Sequence, residues 1–216
     1  MKSLARRSAE YYFMQGLKMF GLIMGLQLIL AIEWIIMGVE ETDLIGYVTQ
    51  SIVIFSAMFM VMFNTLYTVY GPNWYDSIVL SMGARRKDVF RGQIIQQVTC
   101  IALCTIVNLA ICIIFNHVEF IGYTILSAAV AFLFGVAGTV IGYKIKRFGK
   151  VVIFIILMII TCIGAALGAL TALGKDLVFT VLSSGPLFPV IGIGTIIAFI
   201  LLEIWAYKLN SKSMVS

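Results

Sequence analysis

The chain alternates between long apolar stretches and short polar connections. Six stretches contain no Lys or Arg: 19–37, 45–70, 93–115, 120–143, 151–173 and 186–207. Each is long enough to cross a bilayer core of about 30 Å as a helix, which needs about 20 residues. A basic residue at a helix centre costs about 2.5–3.5 kcal/mol on insertion scales, so the absence of Lys and Arg is what lipid-facing helices require. The pattern predicts an all-α integral membrane protein with six transmembrane helices.

Charge in the connections alternates too. Lys2, Arg6, Arg7 and Lys18 precede the first stretch. Arg85, Arg86, Lys87 and Arg91 lie between the second and third, and Lys144, Lys146, Arg147 and Lys150 between the fourth and fifth. Lys208 and Lys212 follow the sixth, leaving Lys175 alone among the other connections. The positive-inside rule therefore places both termini in the cytoplasm of a plasma-membrane protein. Glu40, Glu41, Asp43, Glu119 and Asp176 fall on the opposite side. Tyr70, Trp74, Tyr143, Trp205 and Tyr207 near the inner boundary, and Trp34, Tyr47 and Tyr123 near the outer one, agree with aromatic belts. The first stretch is long for a signal peptide, lacks a small-residue cleavage site and is read as retained.

Composition sharpens this reading. Hydrophobic residues make up 62% of the 216 and charged residues 12%, against roughly 25% charged in a soluble domain. A chain this size cannot hide so much apolar surface in one core. A soluble enzyme, a disordered protein and a disulfide scaffold are excluded. The net charge of +5 lines the membrane surface, so it does not argue for nucleic acid.

Motifs for chemistry are sparse. Cys100, Cys104, Cys112 and Cys162 all lie in spans without a C-x-x-C pair, and His117 is the only histidine. The stretch from Gly168 to Lys175 has the outline of a phosphate-binding loop, but it has five intervening residues and Asp176 where Ser or Thr is needed. No nucleophile–base pair is readable. Glu33 and Glu203, the only carboxylates within spans, each lie about a turn from an end. Gln27, Asn64 and Asn108 are uncharged amides deep in the bilayer. Ion coupling is therefore not expected, and Gln27, Glu33, Asn64 and Asn108 are the candidates for a cargo pathway. Uphill movement would draw energy from a partner.

The long cytoplasmic connection 71–92 is the candidate entry point. Pro72 should end the second span. Asn73 can cap a new helix, with Asp76 three positions on. Trp74, Ile78, Val79, Leu80 and Met82 give this helix an apolar face, and Gly83 supplies a left-handed stop. Residues Ala84–Arg91 then open the helix of the third span. Such a face packs on lipid headgroups or on a cytoplasmic partner. In Met1–Lys18, Ala5, Ala9, Tyr12, Phe13 and Leu17 follow helical spacing away from Lys2, Arg6 and Glu10, as in an amphipathic interfacial helix.

With these features the chain resembles the permease subunit of type-2 ATP-binding-cassette exporters, the small bacterial six-span group. The local likeness lies in Leu80-Ser81-Met82-Gly83-Ala84-Arg85-Arg86-Lys87-Asp88-Val89-Phe90-Arg91-Gly92, which is similar to the family's serine–x–glycine–x–x–Arg/Lys stretch. The resemblance implies a coupling helix in which Trp74, Tyr75, Ile78, Met82, Gly83, Ala84, Arg85, Arg86 and Phe90 meet a separate cytoplasmic ATPase. ATP and Mg would be bound by that partner and no cofactor by this chain, a translocating subunit without enzymatic activity of its own. A second permease subunit, identical or not, would face it around an apolar cavity suited to an antimicrobial peptide, a lipid or a drug. The first, second and fifth spans would line that interface. Glycine pairs at Gly21/Gly25, Gly138/Gly142 and Gly164/Gly168 permit close helix approach there or within one subunit. The outer segment Gly174–Gly185 is shorter than the family's usual outer hairpins. Two other readings remain: the substrate-capturing subunit of a vitamin uptake system, and a permease-like sensor.

Overall fold

The computed structural model describes residues 4–40, 43–149 and 187–212. Five helices account for nearly all of them: α1 (Leu4–Met37), α2 (Leu44–Ser81), α3 (Arg86–Ile114), α4 (Ile121–Phe148) and α5 (Leu187–Lys212). No strand occurs among the described residues. Helices α1 to α4 are each long and apolar enough to cross a membrane. Helix α5 occupies the sixth predicted stretch. The fifth, 151–173, lies outside the described residues, together with Cys162, Gly164, Gly168 and the segment 174–185.

Two helices are longer than expected. Helix α1 runs unbroken through 34 residues, about 51 Å at 1.5 Å per residue, so no boundary near residue 18 separates an interfacial helix from the first span. No proline interrupts it, and Ser8, Tyr12 and Gly16 are buried. A Cβ on Gly16 would stand 2.8 Å from the Gln96 backbone oxygen, so this arm packs on α3.

Helix α2 likewise continues through Pro72 to Ser81, so Pro72 does not end the second span and Asn73 caps nothing. Two glycines, one adjacent and one on α4, explain this. Proline clashes with the Cβ of the residue before it, and that residue is Gly71. The ring is accommodated by α4, where Gly142 has no side chain to meet it: a Cβ there would lie 2.9 Å from Pro72 Cγ.

Gly83, with φ +87°, does stop the helix. Ala84 N–H donates to the Val79 carbonyl (3.3 Å) and Gly83 N–H to that of Leu80 (3.0 Å), the two bonds of a Schellman motif. The Asp88 side chain then accepts from the Arg85 backbone N–H at 3.3 Å and starts α3. Asn116, at φ 58°, ends α3 in the same manner, with His117 N–H bonded to the Cys112 carbonyl at 2.8 Å.

Packing relies on small residues because lipid tails are as apolar as the side chains themselves. Gly135, Gly138 and Gly142 of α4 lie against α2; a Cβ on Gly138 would stand 2.8 Å from the Thr65 carbonyl oxygen. The Gly138/Gly142 pair thus serves contact within this chain. Gly21 and Gly25 have nothing within 4 Å of a built Cβ. Met19, Ile23, Met60, Cys100, Ile101, Cys104 and Ala131 form the central core. Helix α5 packs on α4 through Val136, Val140 and Ala206, an edge-to-face Phe132–Phe199 pair at 5.4 Å and Lys144 Nζ over the Trp205 ring at 5.7 Å.

Candidate functional site

The α1 start, α2 end, α3 start, α4 end and α5 end converge at the basic end of the bundle. The last three turns of α2 form a ledge there. Trp74, Ile78 and Met82 stand at four-residue intervals and are 66%, 48% and 54% exposed. Tyr70, one interval earlier, is exposed as well and extends the stripe. The opposite side of the ledge is occupied: Val79 packs with Tyr12 and Val89, and Tyr75, Leu80 and Ala84 pack around them.

The nine coupling candidates therefore divide. Trp74, Ile78, Met82, Gly83 and Arg85 are exposed. Tyr75 stacks on Tyr67, with centroids 6.3 Å apart. Ala84 belongs to the Tyr12 cluster. Arg86 donates from Nη1 to the Ser211 carbonyl at 2.9 Å, and Phe90 packs edge-to-face on Tyr207 at 5.4 Å. These four tie the ledge and the basic turn to the bundle. Of the face expected from sequence, Val79 turns inward instead.

Beneath the ledge lies a buried polar hub that sequence reading did not find. Asp76, 4% exposed, accepts from the Tyr12 hydroxyl at Oδ1 (2.7 Å). Gln93 Nε2 donates to both carboxyl oxygens at 2.9 Å. The Tyr143 hydroxyl lies 3.2 Å from Oδ2 and 3.1 Å from Asn210 Oδ1. Asn210 Nδ2 in turn donates to the Arg86 carbonyl at 3.0 Å. One carboxyl group thus gathers α1, α2, α3 and α4, and Tyr143 passes the connection to α5. The available signal was an acid, Asp76, ahead of the basic cluster in the 71–92 connection. Its proximity to Asn73 made a capping role the local reading.

The four pathway candidates are not brought together. Gln27, Asn64 and Asn108 are buried inside the bundle, whereas Glu33 is exposed. Asn64 Nδ2 donates to the Ala131 carbonyl at 2.8 Å, and Asn108 Nδ2 to Ser56 Oγ at 2.6 Å. These amides join helices, a usual role for polar groups inside membranes. Asn64 Oδ1, Asn108 Oδ1 and Gln27 Nε2 have no hydrogen-bond partner among the described residues.

An apolar groove of about 610 Å³ runs between α2 and α4, lined by residues such as Met58, Val61, Met62, Leu66, Val130 and Phe134. None of the four candidates contributes to it. Compared with known proteins, the chain matches no family model, no curated protein and no solved structure.

Proposed function

We propose that the chain is the membrane permease subunit of an ATP-driven exporter, moving a hydrophobic or amphipathic cargo with energy from a separate cytoplasmic ATPase. One observation carries the reading: α2 continues past its apolar stretch as an unbroken helix whose end presents the Trp74–Ile78–Met82 stripe beside a basic turn. An apolar stripe at helical spacing suits docking into a hydrophobic groove. Because α2 is continuous from Leu44 to Ser81, displacement of the ledge would tilt or shift the whole helix. The buried hub would carry the same displacement to α1, α3, α4 and α5.

The reading places the basic end in the cytoplasm, in keeping with the excess of Lys and Arg there. A second permease subunit would complete the cargo route, with α1 offering its open Gly21/Gly25 face. The apolar α2–α4 groove, which has Met58 and Met62 in its wall, suits adaptable contact with apolar cargo because methionine is flexible and polarisable.

Co-purification and transport test this together. A soluble ATP-binding-cassette ATPase should co-purify with the wild-type chain from native membranes. Reversing the charges of Arg85 and Arg86, or replacing Gly83, should uncouple ATP hydrolysis from transport while the helices stay folded. Full transport by those variants, with no ATPase bound to any form of the chain, would dismiss the reading.

A further inference from the structure

The hub poses a problem of hydrogen counting. The Tyr143 hydroxyl has one hydrogen and lies between two oxygens, Asp76 Oδ2 at 3.2 Å and Asn210 Oδ1 at 3.1 Å. If Asp76 is a carboxylate, Tyr143 can donate to only one of them, and its other contact is oxygen against oxygen with no hydrogen between. Turning the Asn210 amide over would place its donor toward Tyr143 but would forfeit the bond from Nδ2 to the Arg86 carbonyl. A proton on Asp76 Oδ2 resolves this. The acid then donates to Tyr143, Tyr143 donates to Asn210, and Oδ1 still accepts from Tyr12 and Gln93.

Burial opposes charge on Asp76, while its hydrogen-bond donors and the through-space charge of Lys146 favour it; none of those donors is itself a cation. Tyr12 from α1, Gln93 from α3 and Tyr143 from α4 are all neutral donors. Lys146 of α4 acts on Asp76 and Arg86 of α3 on Tyr143 through space. Among the described residues no cation forms an ion pair with Asp76. Arg86 bonds to the Ser211 carbonyl. A carboxyl group that is buried and lacks a paired cation is neutralised by taking up a proton.

We propose that Asp76 is held as the neutral acid at neutral pH, and that its proton completes the chain Asp76 Oδ2–H to Tyr143 OH to Asn210 Oδ1. This chain fastens α5 to the rest of the bundle. Losing the proton breaks one of its two links, so the basic end is a proton-sensitive fastening. The inference concerns the chain's own groups and stands whether or not an ATPase binds the ledge.

Infrared difference spectroscopy of the purified chain in lipid at neutral pH tests it. Wild type minus D76N should show a carboxylic-acid C=O band that only the wild type carries; carboxylate bands in its place would overturn the proposal. Should D76N fail to fold, Y143F provides an independent test. Removing the acceptor of the acid proton should move the same band to higher frequency, and an acid region identical to wild type would overturn the proposal. Hydrogen exchange of residues 205–212, corrected for intrinsic rate, should accelerate with rising pH in wild type. It should be independent of pH in D76N, where the amide supplies a fixed hydrogen. Equal pH dependence in both forms would refute the fastening.

Discussion

The Tyr12 hydroxyl and Asp76 Oδ1 are 2.7 Å apart although 64 positions separate them in the chain. This bond joins the amphipathic start of α1 to the ledge of α2. The Tyr12 ring, itself fully buried, lies against Gly92 of α3, where any Cβ would collide with it. The first helical turns therefore pack on protein, and the ledge they support is a braced element.

Removing that hydroxyl should loosen the brace without opening a cavity. Tyr12→Phe is expected to destabilise the chain by about 0.5–1.5 kcal/mol, the range for the net loss of one hydrogen bond, since Gln93 still donates to Oδ1. Tyr12→Ala should cost about 3–5 kcal/mol, as large aromatic truncations in cores do. Thermal or denaturant unfolding in a fixed detergent measures both, and a Tyr12→Phe variant as stable as wild type would contradict the brace.

The glycines of α4 and α1 should respond differently to the same substitution. Gly138→Ala drives a methyl toward the Thr65 backbone oxygen, 2.8 Å from a Cβ, and should cost about 1–3 kcal/mol by overpacking. Gly21→Ala meets nothing within 4 Å and should be neutral or stabilising by up to about 1 kcal/mol, the intrinsic helical preference for alanine. Paired unfolding curves check the contrast.

At Gly83 the constraint is the backbone. With φ at +87°, Gly83→Ala forces a Cβ into a left-handed conformation, at a cost of about 1–2 kcal/mol. Gly83→Asn should lose less, because asparagine visits that region more readily. Accelerated hydrogen exchange across 79–86 in the alanine variant, with a smaller change for asparagine, is the expected record. Equal effects would place the cause elsewhere.

These contrasts separate what was legible in the sequence from what was not. The ends of α1 and α3, and the beginnings of α2 and α4, fall within a residue or two of the apolar stretches because charge is expensive in lipid wherever the chain folds. Gly83 was readable because a left-handed stop is a local event. The continuity of α2 was not, because the Pro72 ring is accommodated by the absence of a side chain at Gly142, 70 positions away. The role of Asp76 was hidden for a similar reason: its donors come from three other helices, and nothing near it in sequence announces them. Asn64 and Asn108 are polar residues within apolar stretches, and both are buried inside the bundle. Their partners on Ala131 and Ser56 are not readable from sequence, because they lie 67 and 52 positions away on other helices.

If the ledge is a docking face, its exposed stripe and its buried side must be separable by mutation. Trp74→Ala with Ile78→Ala should leave unfolding within about 0.5 kcal/mol of wild type, as surface changes usually do. The pair should nevertheless abolish ATPase association. Val79→Ala, on the buried side, should instead lower stability by about 1 kcal/mol or more. Destabilisation by the first pair alone would show the stripe to be structural.

The most direct measurement is photo-crosslinking from a reactive side chain placed at position 78, in native membranes under transport conditions. The account predicts a single protein adduct, an ATP-binding-cassette ATPase, whose yield changes when nucleotide is added. Adducts with lipid alone, while cargo continues to move, would contradict it.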